Sequence, residues 1–189
     1  MVRLFSIIVS AFTILSATII NIPSDYSTIQ EGINASTDGD TVLVAQGNYI
    51  ENLVLEKEIV LASHAIYDDL GLDWTSNEHV ANTRIMGGSP MNSKKGSCIQ
   101  VSYGNIQPTI MGFTVSNGVG TSMIVDDCGV SRTERSGGAI MAFQAYPILS
   151  HNRFINNGVS IFDQDNAAQA IQNGGAITLY DDDDVEFDE

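Results

Sequence analysis

The sequence predicts an all-β solenoid, with short strands stacked in successive rungs and one end closed by a short N-terminal capping helix. Three observations predict it. Gly137-Gly138-Ala139-Ile140-Met141-Ala142-Phe143 recurs 37 residues later as Gly174-Gly175-Ala176-Ile177-Thr178-Leu179-Tyr180, and a looser copy, Gly96-Ser97-Cys98-Ile99-Gln100-Val101, precedes it by 41. A second passage, Pro108 to Val119, returns as Pro147 to Val159, displaced by 39 residues at the prolines and 40 at Asn117-Gly118-Val119. Self-similarity at a near-constant period marks stacked units. The third observation is that the apolar runs are short, rich in Val, Leu and Ile, and broken by turn residues. Beyond residue 35 none has a helical period of useful length, which excludes alternating strand–helix folds and helical solenoids.

The first residues read as an export signal: Arg3, an apolar stretch from Leu4 to Leu15, and a small-residue cleavage point at Ser16-Ala17. The stretch falls short of the roughly 18 apolar residues wanted for a membrane span. Residues 1–17 are therefore expected to be removed, leaving 18–189 as one exported domain with no membrane span, secreted or at the cell surface. A short amphipathic helix follows at 27–35, with Asp25 or Ser27 as N-cap and Ile29 and Ile33 on one face. Its expected task is to cover the first rung, whose unpaired edge would otherwise invite aggregation. Asp38-Gly39-Asp40 makes a turn, and strands are expected at 41–45, 52–55 and 58–62, separated by Gln46-Gly47-Asn48 and Glu56-Lys57.

Further strands are expected at 83–87, 97–102, 139–143 and 148–155. Ile99, Ile140 and Ile177 should stack as one ladder beside the smaller Cys98, Ala139 and Ala176, with glycine pairs permitting tight corners before them. Asn117 and Asn157 fall in equivalent turns, where a side-chain amide ladder is expected. Val119–Ser136 and Val159–Asn173, 18 and 15 residues long, are polar insertions expected to project from one flank. After the acidic run Asp181-Asp182-Asp183-Asp184, Val185 and Phe187 should open the next strand of the stack. That places the chain as the N-terminal portion of a longer array, the alternative being an acidic tail that serves as a solubilising cap.

Two segments carry a family resemblance. Ile22 to Gln30, continuing through Asp38-Gly39-Asp40-Thr41-Val42-Leu43-Val44 to Gly47-Asn48-Tyr49-Ile50-Glu51, is similar to the start of right-handed parallel β-helix proteins, the pectin-lyase-like superfamily. Thr109 to Gly118, with the Gly-Gly-Ala-Ile units, resembles secreted β-helix repeat proteins of bacterial surfaces. The resemblance covers about Ile22 to Tyr180. It implies strands laid parallel from rung to rung, about 4.8 Å apart, with alternate side chains in a narrow core.

The formal charge of −15 becomes −16 without Arg3 and repels nucleic acid and anionic lipid. A polysaccharide or cell-surface glycan is the better partner class; no cofactor is required, and calcium is compatible with so acidic a chain. Two cysteines, Cys98 and Cys128, are too few for a disulfide framework, though a single bridge is open to them in an oxidising compartment. Gly47-Asn48-Tyr49-Ile50-Glu51 matches the first pectinesterase signature, but the later Asp-Phe-Ile-Phe-Gly and Arg-Pro-Trp segments have no counterpart, and Gln164-Asp165 is only a two-residue echo.

Pectate-lyase-like chemistry needs carboxylates on calcium and a base to take the proton. Asp126, Asp127, Asp163 and Asp165, with Arg132 and Arg135, are the candidates, set against two solvated loops. Between Ser63 and Asn82, Trp74 with Asp68 and Asp69 offers a sugar-stacking site, the simpler alternative being a tryptophan that closes the loop over the barrel. His64, Asp73, Glu78 and His79 share that loop at spacing too irregular to predict zinc. His151 reads as an outward polar residue of a strand. Asp181, Asp182, Asp183 and Asp184 are calcium candidates, with a solvated self-repelling segment as the alternative. No phosphate loop, Ser-His-Asp order or Cys-His nucleophile appears. The sequence thus points to an exported scaffold for adhesion or glycan binding that uses the insertions on one flank. The second reading is a polysaccharide lyase or esterase whose active rungs are incomplete in this chain, and the third is a structural stalk.

Overall fold

The computed structural model describes residues 16–88, 95–127, 129–159, 171–173, 175–180 and 185–187. β1 (Ile19–Ile22) leads into α1 (Ile29–Ala35), and then β2 (Thr41–Val44), β3 (Gly47–Ile50) and β4 (Leu53–Leu55) enter three different sheets. β5 (Val60–Ser63) and β6 (Thr83–Met86) follow, the second preceded by α2 (Glu78–Asn82). Next come the two-residue β7 (Lys95–Gly96), β8 (Ile99–Ile106), β9 (Thr109–Met111), β10 (Thr114–Ser116), β11 (Gly120–Asp127) and β12 (Val130–Ser136). The last strands are β13 (Ile140–Ala145), β14 (Ile148–Ser150), β15 (Arg153–Ile155), β16 (Ile171–Asn173), β17 (Ile177–Tyr180) and β18 (Val185–Phe187).

The chain visits three parallel sheets in fixed rotation. The first has the order β1-β2-β5-β9-β14, the second β3-β6-β10-β15 and the third β4-β8-β13-β17. Each circuit lays one strand on each sheet beside the strand of the circuit before. The protein is therefore mainly β, and among the described residues the helices are α1, α2 and short 3-10 turns.

Register turns this rotation into a core. Ile20, Val42, Leu61, Ile110 and Leu149 are successive partners across the first sheet. Tyr49, Ile85, Val115 and Phe154 are partners across the second. Across the third run Leu53, Ile99, Ile140 and Ile177, the expected isoleucine ladder with Leu53 added. The central members of each row are fully buried in one cluster. Burial of each Leu, Ile or Val contributes about 1.5–3 kcal/mol, so the rows supply most of the cohesion between circuits.

α1 covers one end of this stack, as the sequence predicts, with Ile29 and Ile33 buried. Its N-cap is Thr28, not Asp25 or Ser27, because Glu31 three residues on completes a reciprocal capping box with Thr28. Glu51 accepts hydrogen bonds from the Ile29 and Gln30 amides, both at 3.0 Å, at the positive end of the helix. At the other end Lys57 Nζ donates to the carbonyls of Ile33, Asn34 and Ser36. Gln30 substitutes for a missing strand: its amide donates to Val54 O and accepts from Val54 N on β4, the edge of the third sheet.

Other expectations are corrected by the hydrogen bonding. Gly47-Asn48, read as a turn, begins β3, and β1 was not anticipated. The single strand expected at 148–155 is two, because His151 adopts φ 50° between β14 and β15. The first polar insertion is a hairpin, β11 antiparallel to β12. Val185–Phe187 is a strand as expected, but it pairs antiparallel with β11 and does not stack on the parallel sheets. Cys98 is a free, buried thiol whose pKa burial pushes up to about 11, while Cys128 lies outside the described residues.

The amide ladder at Asn117 and Asn157 takes another form. The strands that precede them pair at an offset of 39, so Asn117 and Asn156, with φ 63° and 53°, are the equivalent residues, and the offset is 40 where Gly158 N donates to Gly118 O. Asn157 is thus an extra residue. Its amide donates to Val115 O and accepts from Gly118 N, bridging to the neighbouring circuit's backbone. Asn152 does the same with Ile110 O and Phe113 N, and Asn52 with Ser97 O and Gly88 N. Glycine is needed where circuits touch most closely. A Cβ at Gly118 would overlap the Gly138 carbonyl, and Gly137 turns the chain at φ 62°.

Asn157→Ala leaves a backbone donor and acceptor unpaired and is expected to cost about 1–3 kcal/mol in urea unfolding. Gly118→Ala is expected to cost more, because backbone and not a flexible side chain stands in the way. Unchanged unfolding midpoints in both variants would refute the corner arrangement.

Candidate functional site

The excursion between β5 and β6 carries the densest chemistry outside the parallel sheets. Ser63 starts it, accepting a hydrogen bond from Ala65 N as a 3-10 turn forms over His64–Tyr67. A second 3-10 turn, Trp74–Ser76, runs into α2, which Asn77 caps by accepting from Val80 N. Ala65 and Val80 are fully buried and pin the excursion to the core side, and the Val80 carbonyl accepts from Thr114 Oγ1 on β10.

Above these anchors Asp68 organises the polar groups. Its Oδ2 accepts from Asn77 Nδ2 at 2.8 Å and faces His79 Nδ1 at 2.7 Å, an ion pair whenever His79 is protonated. The hydrogen bond to His79, then that to Asn77, holds the Asp68 carboxyl below its ordinary pKa. The His64 ring lies 5.8 Å from His79, and Tyr67 stands edge-on to His64 at 6.3 Å with 65% of its surface exposed. Trp74 packs edge-on against His151 at 5.3 Å, and Ser150 Oγ meets His151 Nδ1 at 2.7 Å. The three histidines of the chain thus lie in or against one excursion.

The Trp74 ring is half-buried and docks the loop on the β14–β15 corner, yet part of it stays open to solvent. Asp68 is committed to its two partners, whereas Asp69 is exposed beside it. Sequence reasoning passed over Tyr67 and read His151 as merely outward. The break of strand at Ser150-His151-Asn152 was the available signal, and only the pairing pattern exposes it.

The lyase candidates are placed differently. Asp126 and Asp127 lie at the end of β11 and Arg132 in β12, with Asp126 opposite Ser131, Asp127 opposite Val130 and Arg132 opposite Val125. Only their backbone is described. Arg135 is buried and donates to Gly120 O within the hairpin. β12 pairs in parallel with β16, bringing the C-terminal ends of the two insertions side by side. Asp163, Asp165 and the run Asp181, Asp182, Asp183 and Asp184 lie outside the described residues. Glu51 of the pectinesterase-like segment caps α1, a structural task. Among the described residues no group of three His, Cys, Asp or Glu is placed to hold a metal ion, and no helix is long and apolar enough to cross a membrane.

No protein-family model matches the chain, and no curated protein sequence matches it.

The depressed pKa of Asp68 fixes the sign of an acid effect. The support it gives the excursion is complete above about pH 4, the ordinary aspartate value, and fades as pH falls through the lower folded value. Trp74, the single tryptophan, reports on this loop. Its emission is expected to shift in acid in the wild type. Asp68→Asn should give the shifted spectrum already at neutral pH and flatten the acid response.

Proposed function

We propose that this chain is an exported right-handed parallel β-helix that serves as a scaffold for adhesion or glycan binding, with the 63–82 excursion as its contact surface. The fixed rotation through three parallel sheets supports the helical stack, as does the family resemblance of residues 22–51 and 109–118. The export reading rests on Arg3, the apolar stretch and Ser16-Ala17. One observation carries the binding reading: a single excursion presents the exposed Tyr67 edge-on to His64, His64 beside His79 and His79 on Asp68, and also carries the half-exposed Trp74 packed on His151. The apolar face of a sugar ring stacks on such rings while its hydroxyls bond to imidazole and carboxylate. The acidic surface favours a neutral glycan, or an acidic one bridged through calcium.

Glycan arrays probed with the full protein are expected to give binding that Trp74→Ala or Tyr67→Ala weakens tenfold or more, about 1.4 kcal/mol, with an unchanged circular dichroism spectrum. Turnover of uronic-acid polysaccharides, with or without calcium, would replace the scaffold by a lyase or esterase. No binding and no turnover would leave the structural stalk.

A further inference from the structure

Asp40 is an unusual carboxylate. It lies 5% exposed in the turn before β2, and both of its oxygens are occupied. Oδ1 accepts from Thr18 N at 2.7 Å and Thr18 Oγ1 at 2.8 Å; Oδ2 accepts from Thr37 N at 2.7 Å and Thr37 Oγ1 at 2.9 Å. Its own backbone is tied in as well, N to Thr37 O and O to Val60 N. Yet no described Lys, Arg or His forms an ion pair with it. A charge withdrawn from water is held best when hydrogen bonds are joined by a counter-charge.

Thr18 is where, among the described residues, hydrogen bonding into the fold begins. Its carbonyl accepts from Thr41 N and it leads directly into β1, whereas Ser16 and Ala17 are exposed and belong to no strand or helix. The sequence places the export cleavage at this same bond.

We propose that Asp40 is a receptor for the processed N-terminus, and that cleavage between Ala17 and Thr18 converts the Thr18 amide into an ammonium ion-paired with the Asp40 carboxylate. The inference rests on the export reading given above. The step is hydrolysis by a signal peptidase: water adds its hydroxyl to the Ala17 carbonyl carbon, the C–N bond breaks, and the Thr18 nitrogen takes up protons to become the ammonium. The donor already stands 2.7 Å from Oδ1, so the new charge arises in place. Processing would then strengthen the attachment of β1, the first strand of the first sheet, as the leader departs. The lowered pKa of Asp40, caused first by the Thr18 and Thr37 amides, agrees with a site that keeps its carboxylate ionised.

Thermal unfolding of chains beginning at Thr18 tests the contact. The chain with a free amine is expected to melt a few degrees above the same chain acetylated on the Thr18 nitrogen, and Asp40→Asn should abolish that difference. A chain starting at Ala17, whose amine is displaced by one residue, should melt like the acetylated form, so the test stands even if Asp40→Asn fails to fold. Equal melting of the free and acetylated chains would overturn the proposal, as would an acetylation effect that persists in Asp40→Asn. Mass analysis of the exported protein addresses processing separately. A mature chain starting elsewhere overturns the inference alone, whereas retention of residues 1–17 inside the cell defeats the export reading itself.

Discussion

The structure depends on one spacing, that between hydrogen-bonded parallel strands of successive circuits, about 4.8 Å. Inside the sheets any apolar side chain satisfies it, and rows such as Leu53, Ile99, Ile140 and Ile177 form without special chemistry. At the corners the backbone leaves the ladder, and its donors and acceptors must find partners at the same separation. Asn52, Asn152 and Asn157 supply them, each side-chain amide reaching one N–H and one C=O of the adjacent circuit. Gly118 meets the same constraint by removing bulk where two circuits touch.

The exposed edge at the first circuit poses the complementary problem, since an unpaired strand there would recruit another chain. α1 solves it with side chains and not with a strand. Gln30 gives β4 the hydrogen bonds of an absent neighbour, while Glu51 and Lys57 hold the two ends of the helix through its free amides and carbonyls. The segment Gly47-Asn48-Tyr49-Ile50-Glu51 is explained by this architecture: Tyr49 lies in the core row of the second sheet and its hydroxyl bonds to Ala45 O, and Glu51 caps the helix.

The excursion at 63–82 departs from this regularity at a cost the rigid sheets can bear. Asp68 joins Asn77 and His79, and Trp74 packs on a corner that is itself kinked at His151. A surface built this way holds its groups in fixed relation without contributing a strand to any parallel sheet. That freedom from the ladder is the reason the proposed contact surface is assigned to this excursion.

The mainly β class was legible because its cause is local: the short apolar runs broken by turn residues and the apolar face of α1 follow from residue spacing. Partner choice beyond that spacing was not. Asn157 looked equivalent to Asn117 because their neighbours match, yet the strands pair one residue out of that alignment and leave Asn157 to bridge backbone. Val185–Phe187 looked like the next layer and instead joined the hairpin. His79 and Asp68, eleven residues apart, meet only because the excursion folds back, and Trp74 meets His151 across 77 positions. The sequence by itself determined the all-β class, the inward rows and the capping helix, since each depends on alternation within a short segment. The corner bonds, the hairpin sheet and the cluster around Asp68 came only with the folded chain, because each joins residues that no local period relates.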